Sequence, residues 1–151
     1  MPSLPPWIDT ARARAGASTP YLAGFALGLV AVPLIALGHS WIALGFLLIG
    51  RAFALAGESP YAQALDPVFY ASVPFAFALA DPSRAVAAAF LLFAFVASIA
   101  TTRRLERIDG LVALAGYALA CLLPERFGPV GYALGIACFV AAGLRFTKVP
   151  A

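Results

Sequence analysis

Residues 85–102 read Ala-Val-Ala-Ala-Ala-Phe-Leu-Leu-Phe-Ala-Phe-Val-Ala-Ser-Ile-Ala-Thr-Thr, and Arg103-Arg104-Leu105-Glu106-Arg107 follows at once. A charge-free apolar run of this kind has the length of a helix crossing the hydrocarbon core of a bilayer, which takes roughly 20 residues rising about 1.5 Å each. The arginines behind it read as an end held on the cytoplasmic side. Upstream, Asp81-Pro82-Ser83 closes another apolar run at about residues 65–80, and downstream a further one covers 111–123 and ends at Pro124. The same unit recurs at 21–38, 41–56 and 130–146. Nothing alternates polar and apolar with a period of two, so a strand architecture is not supported.

The composition agrees. The 151 residues are 63% hydrophobic and 11% charged, with a mean hydropathy of +0.94. A soluble domain carries about 25% charged residues to cover its surface, so water is excluded as the main solvent. The net charge of +3 does not point to nucleic acid, because the basic residues are scattered between apolar runs. Arg12, Arg14, Arg51, Arg103, Arg104, Arg107, Arg145 and Lys148 fall on one side of a six-span layout, and Arg84 and Arg126 on the other. That asymmetry predicts an all-α polytopic membrane protein with six transmembrane helices and both termini cytoplasmic. Several spans are short, so some helices should thin the bilayer or be sheltered by neighbours.

Two segments are expected: residues 1–20 as an N-terminal tail, and 21–151 as the six-helix bundle. Within the tail, residues 5–16 read as a short amphipathic interfacial helix, anchored by Trp7 with Arg12 and Arg14 reaching for phosphates. Gly24-Phe-Ala-Leu-Gly28 and Gly131-Tyr-Ala-Leu-Gly135 have the small-residue spacing that lets helices pack closely, more simply within the chain than between copies. Pro33 and Pro74 fall inside spans and should free carbonyls that need another partner. Cys121 and Cys138 lie in apolar runs without ligand-like spacing.

Ionisable residues gather where spans two and three meet: Arg51, Glu58 and Asp66. The intervening Ala-Gly-Glu-Ser-Pro-Tyr turn can bring Arg51 toward either acid. An ion pair lowers the cost of placing a guanidinium in the membrane, and this structural reading outweighs a catalytic one. Arg103, Arg104 and Arg107 read as an orientation-setting loop able to contact lipid phosphate. His39 is alone at the outer turn beside Trp41 and reads as an interface residue. No nucleotide loop, zinc motif or hydrolase elbow is present.

Tyr21-Leu-Ala-Gly-Phe-Ala-Leu-Gly-Leu, the upstream Ile8-Asp9, and the stretch Asp66-Pro-Val-Phe-Tyr-Ala-Ser-Val-Pro-Phe-Ala-Phe-Ala-Leu-Ala-Asp-Pro resemble the first and third spans of bacterial CDP-alcohol phosphatidyltransferases. The resemblance covers most of the chain. The signature of that family is D-x-x-D-G-x-x-A-R-x8-G-x3-D-x3-D, whose carboxylates hold divalent metal beside a diphosphate. Such chemistry needs hard oxygen ligands. Asp66 falls at the last aspartate. Counted back without gaps, Ala62 replaces the aspartate before it and Trp41 and Leu44 the first two, with Gly45 matching. Allowing a gap, Gly50-Arg51 precedes the motif and Ala54-Leu-Ala-Gly57 is its remnant, leaving Arg51 to Asp66 too short by about nine or ten residues. Either way three of four carboxylates are missing, and Glu58 cannot replace them.

The resemblance therefore implies a non-catalytic relative in the bacterial inner membrane, without a cofactor. It would act as an accessory or scaffold subunit of a larger membrane complex or as a lipid-binding protein, with membrane lipids and other integral membrane subunits as partners. The alternative is an active phosphatidyltransferase of phospholipid synthesis whose altered site uses Asp66 and Glu58 with Mg²⁺ or Mn²⁺. A transporter is the least favoured class, because spans four to six offer almost no polar route through the midplane.

Overall fold

The structure, a computed structural model, describes residues 6–57, 59–102 and 107–146. Six α-helices occur among the described residues: α1 (Pro6–Ala36), α2 (Ser40–Ala56), α3 (Ala62–Ala80), α4 (Ala85–Thr102), α5 (Arg107–Leu122) and α6 (Phe127–Phe146). Short 3-10 turns at Pro82–Arg84 and Pro124–Arg126 lead into α4 and α6. Three segments are long and apolar enough to cross a membrane, Ser18–Ala36, Pro82–Ala100 and Pro124–Arg145. Two shorter apolar helices, Ser40–Ala56 and Gly110–Leu122, accompany them. The protein is an all-helical membrane protein.

One boundary differs from the expectation. The N-terminal segment is not a separate short helix: α1 runs unbroken from Pro6 to Ala36, through Pro20 and Pro33. Pro20 removes only the bond to the carbonyl of Gly16, an exposed position where that oxygen can meet water or headgroups. The side chains of Trp7, Arg12 and Arg14 lie outside the described residues. At its other end α1 stops in a glycine cap. Gly38 has φ +82°; its amide donates to the Ile35 carbonyl and that of His39 to the Leu34 carbonyl. This is the Schellman arrangement, which needs a residue free of the left-handed penalty.

The helices form a ring in the order α1, α2, α5, α6, α4, α3, with α3 also touching α5 across the interior. The α1–α2 contact is the most extensive. There the two backbones touch: a methyl added at Gly50 would lie 2.5 Å from the Gly28 amide nitrogen and 2.7 Å from the Gly24 carbonyl oxygen. Gly131 and Gly135 face Ala87 and the Phe90 ring, joining α6 to α4. Both small-residue motifs thus serve contacts within the chain, where close approach replaces the missing hydrophobic drive.

The interior is aromatic. Phe77 of α3 stacks on Phe127 of α6 with centroids 4.5 Å apart. Tyr70 lies between Phe95 of α4 and Tyr117 of α5. Large apolar side chains such as Trp41, Ile49, Phe93 and Val140 face outward, as lipid-facing residues do.

The loop before α4 is held by Asp81, whose carboxylate accepts from the Ser83 amide at 3.0 Å and pairs with Arg84 at 3.3 Å. The Ser83 hydrogen bonds, more than the Arg84 charge, hold the Asp81 carboxyl below its usual range.

Pro74 sits in the middle of α3 and has no N–H to give the carbonyl four residues earlier. That carbonyl belongs to Tyr70, and the buried Tyr117 hydroxyl of α5 donates to it at 2.6 Å. The oxygen freed by the proline is satisfied from a helix 47 residues away. Tyr117→Phe should therefore orphan it and lower stability by about 1–3 kcal/mol. Pro74→Ala in the Tyr117→Phe background should recover much of this by restoring the helical bond. Equilibrium unfolding in mixed micelles checks both.

Candidate functional site: the Arg51–Asp66 cluster

Asp66 lies just over one turn into α3, with Phe69 and Tyr70 at the i+3 and i+4 positions, so all three occupy one helix face. Arg51 sits on the inward stripe of α2, which also buries Ala43, Leu47, Gly50 and Ala54. Tyr21 lies on the buried stripe of α1 that runs from Ser18 through Gly24, Gly28 and Ala31. The Gly24–Gly28–Gly50 crossing draws α1 against α2, and Gly28 also meets the Phe69 ring of α3. Three helices thereby converge on one carboxylate.

Arg51 Nη1 donates to Asp66 Oδ1 at 2.7 Å, and the Tyr21 hydroxyl donates to the same oxygen at 3.0 Å. The side chains of Arg51 and Asp66 are 11% and 23% exposed, so the pair is sheltered but not sealed. The Arg51 guanidinium carbon lies 5.4 Å from the Phe69 ring centroid and 5.1 Å from that of Tyr70. Those distances suit cation–π attraction, which is stronger away from water. Phe69 and Tyr70 meet edge to face at 5.3 Å. The Tyr70 hydroxyl lies against α5, where a methyl on Gly110 would come within 2.9 Å of it.

Chemically, this is a carboxylate with two donors on one oxygen and a guanidinium with a carboxylate and two aromatic faces. The positive charge that a carboxylate needs in a dry setting comes from within the chain. Among the described residues, no group of three His, Cys, Asp or Glu side chains is placed to hold a metal ion.

Of the residues singled out from sequence, the structure brings Arg51 and Asp66 together. Glu58, Arg103 and Arg104 lie outside the described residues. Arg107 opens α5, but its side chain is likewise outside them. Arg145, expected at the same end of the bundle, donates from Nη1 to the buried Ser98 hydroxyl of α4 at 3.1 Å. His39 precedes α2 at an exposed position without a side-chain cap bond. Tyr21 as a partner of Asp66 was missed, since nothing local links positions 45 residues apart. The part played by Phe69 and Tyr70 was also missed, although their i+3 and i+4 spacing from Asp66 was available as a signal.

A bundle of apolar helices with a sheltered ion pair defines an integral membrane protein. The chain is 30% identical to the inner membrane protein YnjF of Escherichia coli strain K12, over 85% of this chain and 78% of that protein. It belongs to the family of YnjF. No family model and no solved structure matches the chain.

Removing one member of the pair leaves the other charge stranded. Arg51→Met is expected to cost about 3 kcal/mol, and Arg51→Met combined with Asp66→Leu markedly less. Tyr21→Phe should cost about 1 kcal/mol. A double-mutant cycle read by unfolding in mixed micelles checks the coupling.

Proposed function

We propose that the protein is a non-catalytic relative of the CDP-alcohol phosphatidyltransferases, resident in the bacterial inner membrane. It serves there as an accessory or scaffold component, or as a lipid-binding protein. The observation that carries this reading is the state of Asp66. The one carboxylate that matches the family signature accepts from Arg51 and Tyr21 on a single oxygen. A metal-dependent phosphoryl transfer needs several hard oxygen ligands free to face a divalent ion. A carboxylate neutralised by a guanidinium is poorly suited to that task. The name of the E. coli relative supports the location.

The same reading places six spans across the membrane with both termini cytoplasmic. Six helices among the described residues support it, as does the fall of eight of the ten basic residues on one side of a six-span layout. Alkaline phosphatase fused after Ser83 or Glu125 should be active, whereas fusions after Gly57 or Arg104 should be inactive. A green fluorescent protein at the C-terminus should fluoresce. The reverse pattern at either end would overturn the topology.

The lack of chemistry has its own test. Protein purified gently and reconstituted with radiolabelled CDP-diacylglycerol, an alcohol acceptor and Mg²⁺ or Mn²⁺ should give no transfer above protein-free vesicles. It should also retain a lipid or copurify with another integral membrane protein. Turnover abolished by Asp66→Ala would establish the catalytic alternative instead.

A further inference from the structure

α4 and α6 are parallel neighbours, and their register can be read from their contacts. Gly131 of α6 faces Ala87 of α4, and Gly135 faces Phe90 and Ala94. Farther along, the Arg145 guanidinium donates to the Ser98 hydroxyl at 3.1 Å. Residue numbers rise together on both helices, so their last turns end side by side. Ser98 is fully buried, whereas Arg145 is only partly so. A buried hydroxyl thereby fixes the orientation of a guanidinium that stays at the rim of the bundle.

The outer side of the same seam is a shallow apolar groove. The Phe90 ring of α4 packs on Phe139 of α6 with centroids 5.6 Å apart, which identifies the α6 stripe bordering α4. Gly143 lies one turn after Phe139 on that stripe. It is exposed, and a methyl added there would meet nothing within 4 Å. On α4, the exposed Phe93 and the half-buried Ala97 lie one and two turns after Phe90. From the Phe90–Phe139 contact toward Arg145, the groove therefore has small residues as its floor. The sequence adjoining the two helix ends is basic: segments 103–109 and 145–148 hold Arg103, Arg104, Arg107, Arg145 and Lys148 against Glu106 and Asp109.

The geometry points to a binding site for an anionic phospholipid of the inner leaflet at the cytoplasmic end of the α4–α6 seam. The headgroup phosphate meets Arg145, and one acyl chain lies along the groove over Ala97 and Gly143. Charge complementarity selects the occupant. A phosphodiester accepts charge-assisted hydrogen bonds from a guanidinium, and an excess of basic residues beside the membrane attracts anionic lipid. A zwitterionic lipid brings its own ammonium against the same basic residues and gains less. Arg51 is not equivalent, because it is buried among α1, α2 and α3 with Asp66 as its partner.

The inference deepens the lipid-binding form of the proposed function and rests on the topology given with it, but not on the absence of catalysis. Its test needs a fluorescent reporter in the groove. The two native tryptophans, Trp7 and Trp41, are replaced by phenylalanine. Into that background goes either Phe93→Trp, at the lip of the groove on α4, or Phe53→Trp, on the exposed face of α2 across the ring. Each full-length variant is reconstituted in vesicles of dioleoyl phosphatidylcholine with a minor fraction of brominated dioleoyl phosphatidylglycerol or brominated dioleoyl phosphatidylcholine. Quenching gives the relative affinity of each position for the anionic lipid.

At position 93 the anionic lipid should be preferred about fivefold, the effect of one interfacial arginine, and at position 53 it should not be preferred. Arg145→Gln should remove the preference at position 93, and Arg145→Lys should keep most of it. Gly143→Leu retains every charge but fills the groove, and should also lower it. An equal preference at both reporters would overturn the proposal, because it would mean a diffuse surface attraction. A preference at position 93 that survives Arg145→Gln or Gly143→Leu would overturn it too. Should Arg145→Gln fail to fold, Gly143→Leu decides alone. A wrong topology or a working transferase would appear in the fusion and transfer experiments, independently of these outcomes.

Discussion

A polar group left without a partner inside a bilayer has no water to turn to, and this constraint bears hardest on α3. That helix touches α1, α4 and α5, carries Pro67 and Pro74 within its length, and bears Asp66. Its broken backbone and its charge would each be costly in hydrocarbon. Both are answered by neighbouring helices. The Tyr117 hydroxyl reaches the Tyr70 carbonyl from α5, and Arg51 and Tyr21 reach the Asp66 carboxylate from α2 and α1. α3 is stable as a helix because its neighbours in the bundle supply those partners.

Glycine makes those bonds geometrically possible. The α1 and α2 backbones touch at Gly24, Gly28 and Gly50, and Gly28 leaves room for the Phe69 ring. Arg51 follows Gly50 directly, so the tight crossing also sets where the guanidinium sits. Side chains there would push α2 outward and draw Arg51 away from Asp66. Packing and electrostatics are therefore one problem at this corner of the molecule. On the far side, α4 and α6 meet through Gly131, Gly135, Ala87 and Phe90, and the Arg145 guanidinium of α6 donates to the Ser98 hydroxyl of α4.

The cluster bears on function through what it leaves unoccupied by chemistry. A carboxylate bound to a guanidinium and a phenol is a structural joint between helices, and the aromatic faces of Phe69 and Tyr70 hold the guanidinium from its other sides. On the proposed reading, an architecture suited to handling lipid-linked substrates keeps its helices together with an internal cation. Its contribution to the membrane is then made through its outer surface.

Much of this was legible in the residues alone. The apolar period and the polar breaks located the helices to within a few residues, except that α1 runs on through the segment expected as a separate interfacial helix, because a bilayer imposes a length and tolerates few charges. The spacing of Arg51 and Asp66 around a glycine- and proline-bearing turn suggested that they could meet, since a hairpin brings its two flanks together. Pro74 announced an unpaired carbonyl. The sequence did not reveal that Tyr117 would satisfy it, that Tyr21 would join Asp66, or that α2 and α5 would lie side by side. Those partners are separated by tens of residues, and only the closure of the ring brings them into reach. Composition and local pattern determined that this chain enters a membrane as helices; which helix faces which, and hence which polar groups find one another, was decided by close packing in three dimensions.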